Sequence, residues 1–249
     1  MKFLVSKIKP AVGFAHLAHI ALSALLPIAV YIFVRIELAQ VALMIILLSK
    51  WRMLAVQPRF WWAHIRANAV DIVVGLSILA FMVSVQAITW QLIWMGVYIL
   101  WLLFLKPKND TLSVSLQAAT GHVFGLSALF IVWSDASLLA LVLGTWFITY
   151  ISARHFFTNF EEPYTALFAH FWGYFSAAMT WILGHYLLFY NTLSQPTLLL
   201  TIIGYGLAAL YYLNHKDRLT DLVRREFVFM IVAIVLIILI SADWTDKAV

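Results

Sequence analysis

Apolar residues run in long, nearly unbroken stretches along the chain, separated by short polar breaks. A helix that crosses a bilayer needs ~20 such residues, and the stretches match that length. They fall at about 11–34, 37–55, 67–87, 89–105, 112–134, 136–152, 163–190, 196–213 and 225–241, which predicts nine transmembrane helices, TM1 to TM9. The clearest turn signals are Lys106-Pro107-Lys108-Asn109-Asp110 and the segment from Asn191 to Pro196. Lys2, Lys7 and Lys9 precede the first stretch, as they would in a signal peptide. That stretch reaches Val34, too long for a signal h-region, and lacks a clear small-residue cleavage site, so a retained first span is expected.

Composition reinforces the pattern. Of the 249 residues, 64% are hydrophobic and 11% charged, against about 25% charged in soluble domains. Lipid is therefore the expected solvent, in a single all-α integral membrane domain over 1–249. The net charge of +5 lies in short loops rather than on a continuous patch, so nucleic acid is not an expected partner. With nine spans and a cytoplasmic N-terminus, every one of the 16 Lys and Arg except Arg35 and Lys247 falls on the cytoplasmic side. This is the positive-inside pattern, and it predicts an N-in, C-out protein of the plasma membrane. Trp51, Trp61, Trp62, Trp90, Trp133 and Trp244 near span ends read as an interfacial aromatic belt. The absence of cysteine removes disulfides and thiolate chemistry.

A weak internal repeat would map TM1–TM4 onto TM5–TM8, with His19 on His122, Ser49 on Ser152, and TM9 added. Polar residues within spans are costly and usually face a bundle interior or cavity. On TM1, His16, His19, Ser23 and Pro27 share one helical face; on TM3, His64, Asn68, Asp71 and Gly75 do the same. TM5 carries Gln117, Gly121 and Gly125 on a stripe flanked by Thr120 and His122, and TM7 carries His170, Tyr174, Trp181 and His185. By these boundaries every intramembrane histidine lies on an odd-numbered span. The expectation is a polar cavity lined by the odd spans and open to the cytoplasm, with Lys50, Arg52, Arg59 and Arg66 at its mouth, joined by Arg154, His155, Glu161 and Glu162. Each single histidine reads first as interhelical glue and only then as a site. Asp71 needs a partner, for which Arg66 or His64 is the nearest in sequence. Lys50, at an inner span end, is expected to snorkel.

A basic mouth above an intramembrane polar cavity suits an anionic lipid or lipid-linked phosphate. The expected activity is binding, transport, flipping or modification of such an amphiphile. Arg52, Arg59, Arg66, His122 and Tyr174 would contact it, and His64, Asn68, Asp71, Thr120 and His170 are the candidates for chemistry. Membrane lipid is the expected partner. His16, His19, His122 and His170 are residue types that ligate haem or metal, but no ligand-spacing motif joins them, so neither a cofactor nor a metal is expected. A scaffold or small-molecule transporter stands as an alternative.

Three short motifs carry a further alternative. His64-Ile65-Arg66-Ala67-Asn68, then Ala119-Thr120-Gly121-His122-Val123-Phe124-Gly125, then Ala169-His170-Phe171-Trp172-Gly173 follow one another with one span between each pair. In order and spacing they resemble the core of the rhomboid intramembrane proteases. The resemblance implies a six-helix core over TM2–TM7, with His170 as base and Asn68 as oxyanion donor. Thr120 stands where that family has its serine nucleophile, and the charge pattern puts these helix starts on the cytoplasmic side, opposite to the usual rhomboid arrangement. Within this resemblance an inactive relative that binds membrane segments is implied ahead of a protease.

Overall fold

The computed structural model describes residues 14–53, 55–186, 189–190 and 193–242, and the side chains of all of these except 14–19 and 52. Among them are nine α-helices: α1 (Phe14–Arg35), α2 (Ala39–Leu48), α3 (Trp61–Ser84), α4 (Ile88–Leu100), α5 (Thr111–Val132), α6 (Leu138–Thr158), α7 (Thr165–Gly184), α8 (Gln195–His215) and α9 (Asp221–Ile240). The predicted lysine cluster before residue 11 lies outside the described residues. A two-stranded antiparallel ribbon, β1 (Phe189–Tyr190) with β2 (Leu193–Ser194), joins α7 to α8. Five segments are long and apolar enough to cross a membrane: Pro58–Ser84, Ile88–Leu105, Thr111–Val132, Leu138–Thr158 and Gln195–His215. The protein is thus all-α, with several helices suited to membrane insertion.

Local sequence explains most boundaries. Asp110, Ser137, Ser194 and Thr220 cap the N-termini of α5, α6, α8 and α9, each accepting from the backbone N–H three residues on. Pro196 occupies the first turn of α8, where its missing N–H costs nothing. α7 stops at Gly184 rather than continuing toward residue 190, and His185 lies just past its end. α6 and α8 run further than expected and take in His155 and His215. Histidines are therefore not confined to odd-numbered helices.

The largest departure is α2. Its apolar sequence predicts a span to residue 55, yet the helix has only 10 residues, ~15 Å of rise. Ser49 turns its hydroxyl back onto the Ile46 carbonyl at 2.6 Å, and Lys50 is drawn sideways to Asp71 on α3. The chain then passes through short 3₁₀ turns at Trp51–Met53 and Pro58–Phe60 before α3 begins.

The helices form two neighbouring rings. In the first, α1 touches α2 and α4, while α3 touches α2 and α4; in the second, α5 touches α6 and α8, while α7 touches α6 and α8. The α3–α5 contact joins them. The core of the first ring is Val30, Ala42, Ile46, Val74, Ile78, Met82 and Tyr98. The stripe of Gly121 and Gly125 is where α5 meets α3 and α6. A Cβ at Gly125 would lie 2.6 Å from Ile148 Cγ2 and 2.8 Å from Val73 Cγ1, so only glycine permits this approach. α9 packs on α8 and has no buried residue among those described.

Candidate functional site

The densest polar constellation lies in the first ring. α3 carries Asp71, buried at 7% exposure. Lys50, from the end of α2, is equally buried and ion-pairs with its Oδ2. Lys106, from the end of α4, binds the same oxygen at 2.6 Å and is partly exposed. The other carboxylate oxygen accepts from Trp101 Nε1 at 2.8 Å. Both lysines follow helix C-termini, where the backbone dipole favours a cation.

The end of α4 is built for this contact. Over Trp101–Leu105 the helix widens to π geometry, and Lys106 N donates to Trp101 O at 2.9 Å. Such an extra residue re-aims side chains and often marks functional positions. It brings both Trp101 and Lys106 to one carboxylate. Above them Tyr98 is fully buried, and its hydroxyl would lie 2.8 Å from a Cβ at Gly75, one turn beyond Asp71.

Two ammonium groups meet one carboxylate, which is the one acidic group within ion-pair distance of either lysine among the described residues. With both lysines protonated, one positive charge is left over. It faces a cleft of about 330 Å³, opened where α2 stops short. Leu22, Ser23 and Leu26 of α1 form one wall; Ser49, Lys50, Leu102, Lys106 and Pro107 complete it. Two cations and two hydroxyls beside leucines can hold an anionic group whose tail is apolar.

The other predicted residues lie elsewhere. Asp71 is neutralised by Lys50 and Lys106, not by Arg66 or His64. His64, Arg66 and Asn68 occupy the N-terminal turns of α3; Arg66 Nε donates to Trp62 O at 3.2 Å and Asn68 Nδ2 to His64 O at 2.9 Å. Arg59 stacks over Phe60 at 4.6 Å. The side chains of Arg52, His16 and His19 fall outside the described set. Thr120 donates to Leu116 O at 2.8 Å and lines a separate, mainly apolar groove of about 360 Å³ with Trp101, Phe104 and Phe124.

His122 of α5 is buried against Trp172 of α7, 6.1 Å between rings, and beside the Leu200 backbone of α8. His170 is held between Tyr150 of α6, at 4.6 Å, and the exposed Tyr174, at 6.0 Å. Thr120 therefore faces the α4–α5 groove while His170 stacks against α6, and the two do not form a nucleophile–base pair. Asp71, Thr120, His122 and His170 occupy four separate surroundings rather than one cavity.

Sequence reasoning placed Lys50 at a cavity mouth without pairing it to Asp71, and it passed over Lys106 and Trp101 as partners of that carboxylate. Their signal was present: a lysine closes each of the two spans adjacent in sequence to the only carboxylate of TM3. A second polar junction was half legible. Gln117 donates to Leu105 O at 2.8 Å and Lys108 O at 2.9 Å, and its Oε1 meets His155 Nε2 at 2.9 Å, tying α4, α5 and α6 together. Among the described residues no three His, Asp or Glu side chains gather as metal ligands. No family model matches the chain, and neither a curated protein nor a solved structure matches it, so its chemistry has to be argued from its own residues.

Proposed function

We propose that this chain is a nine-span plasma-membrane protein, N-terminus in the cytoplasm, that binds an anionic lipid or lipid-linked phosphate at the Lys50–Lys106 cleft. The observation that carries the reading is the unmatched positive charge: two lysines on Asp71, facing a leucine-walled cleft. An excess charge in a low-dielectric setting favours an anion strongly, because water screens it poorly there. The predicted topology puts the cleft toward the cytoplasmic leaflet, whose anionic lipids supply such a group. The phosphate contacts shift from the expected Arg52, Arg59 and Arg66 to Lys50 and Lys106. Asp71 positions those lysines. The matching neighbour pattern of the two rings fits a parallel duplication with α9 appended.

Native mass spectrometry in a mild detergent tests this. A retained phospholipid-sized or polyprenyl-phosphate-sized adduct is expected, and Lys106→Gln should strip it, since that side chain is partly exposed and its loss leaves the Lys50–Asp71 pair intact. An adduct indifferent to Lys106→Gln, or a bare mass for the unaltered protein, would sink the reading.

A further inference from the structure

The first ring has two polar layers, and they lie close together. The inner layer is Asp71 with Trp101. The outer layer is Gln91 on α4, which donates to Met82 O at 3.1 Å and Val85 O at 2.8 Å and accepts from Arg35 at 3.4 Å. From Asp71 to Met82 the axis of α3 rises only ~16 Å, and from Gln91 to Trp101 that of α4 rises ~15 Å, at ~1.5 Å per residue. α2, which runs between the layers, is of similar length. The hydrocarbon core of a bilayer is ~30 Å thick. A ring whose polar layers are half that distance apart either holds charge inside the hydrocarbon or draws the bilayer thin around itself. Both shorten the apolar path a headgroup must cross.

The cations of the two layers also share one seam. Lys106 lies at the inner end of α4 beside Leu22 and Leu26 of α1. Arg35 closes α1 at the outer end, against Gln91 of the same α4. An anionic headgroup leaving the inner cleft along this seam meets a second cation at the far side.

We infer that the α1–α4 seam is a passive crossing path for the headgroup of an anionic lipid, with Lys50 and Lys106 as its inner station and Arg35 as its outer one. The inference rests on the proposed binding at the inner cleft and adds movement between leaflets. No bond is made or broken, so the exchange runs in both directions and equilibrates the leaflets.

The test uses the full chain in phosphatidylcholine vesicles carrying a trace of fluorescent phosphatidylglycerol, bleached from outside by dithionite. Bleaching is expected to pass beyond the outer leaflet in vesicles that hold the protein. Arg35→Gln should slow the inner-leaflet phase about fivefold, the factor for the ~1 kcal/mol that one basic residue contributes to holding anionic lipid. Arg35→Lys should restore it, which separates charge from folding. Bleaching that stops at the outer leaflet, or an Arg35→Gln rate equal to the unaltered one, overturns the crossing path. If lipid is still retained in mass spectrometry when bleaching stops there, only the crossing fails and the binding reading stands. If neither is seen, the binding reading fails with it.

Discussion

The two helical rings keep polarity inside a membrane protein by different means. Lys50 and Asp71, the charged residues buried among those described, both belong to the first ring. The second ring buries hydroxyls, amides and a histidine instead. Thr149 donates to Thr145 O and Ser176 to Trp172 O, each at 2.8 Å within its own helix. Trp146, Tyr150, His170 and Tyr174 interleave as near-parallel rings between α6 and α7. A buried charge demands an opposite charge in contact, so it fixes where α2 and α4 end relative to the middle of α3. A hydroxyl satisfied by its own helix fixes nothing beyond that helix, and shape decides the packing. The first ring is consequently pinned by a buried ion pair, whereas the second relies more on fit, with the Gln117–His155 contact as a polar tie.

Substitutions can break that contrast in graded steps. The largest effect is expected from Asp71→Ala, which strands two cations, one of them buried, and should cost ~3–5 kcal/mol. Thermal unfolding in detergent would register it, while pairing Asp71→Leu with Lys50→Met should recover much of the loss by removing the buried charge as well. A single variant as stable as the parent would show that the pair does not pin the ring.

Gly125→Ala probes fit in the same units. Its new methyl would press on Ile148 and Val73 of neighbouring helices, at an expected cost of ~1–3 kcal/mol. Gln117→Leu should cost a similar ~1–3 kcal/mol, because it leaves the Leu105 and Lys108 carbonyls without its donors and His155 without its acceptor. If His155→Leu on top of Gln117→Leu adds its full separate cost, the two residues are not coupled.

Thr120→Val should change stability by no more than ~0.5 kcal/mol, since the hydroxyl bonds only its own helix. It should also leave lipid retention unchanged, and a loss of retention would return Thr120 to the site. The smallest effect concerns the exposed Asp110. Its carboxylate accepts from the Ser113 side chain and, at 3.1 Å, from Ser113 N, and these bonds hold its pKa below the ordinary carboxylate value. Its folded pKa is thus lower than its unfolded one, so its contribution is present above the unfolded value and is lost as pH falls through the folded one. Asp110→Asn should flatten that acid limb of a stability–pH curve, and an unaltered limb would assign the acid sensitivity to another group.

The sequence by itself determined the all-α class and the presence of several apolar helices long enough to cross a membrane, and it marked Asp71 as a carboxylate in need of a partner. These follow from local quantities: the length of an apolar run and the cost of a carboxylate among apolar neighbours. Only the tertiary structure decided that α2 ends early, that Lys50 and Lys106 rather than Arg66 or His64 answer Asp71, and that Thr120, His122 and His170 go separate ways. Hydropathy cannot tell a helix that continues from a chain that turns aside, because both are apolar. The turn at Ser49 and Lys50 depends on a carboxylate far away in sequence, and which face of α5 or α7 meets which neighbour depends on where glycines allow close approach. Those are relations between helices, and a reading along one chain supplies the groups without their pairing.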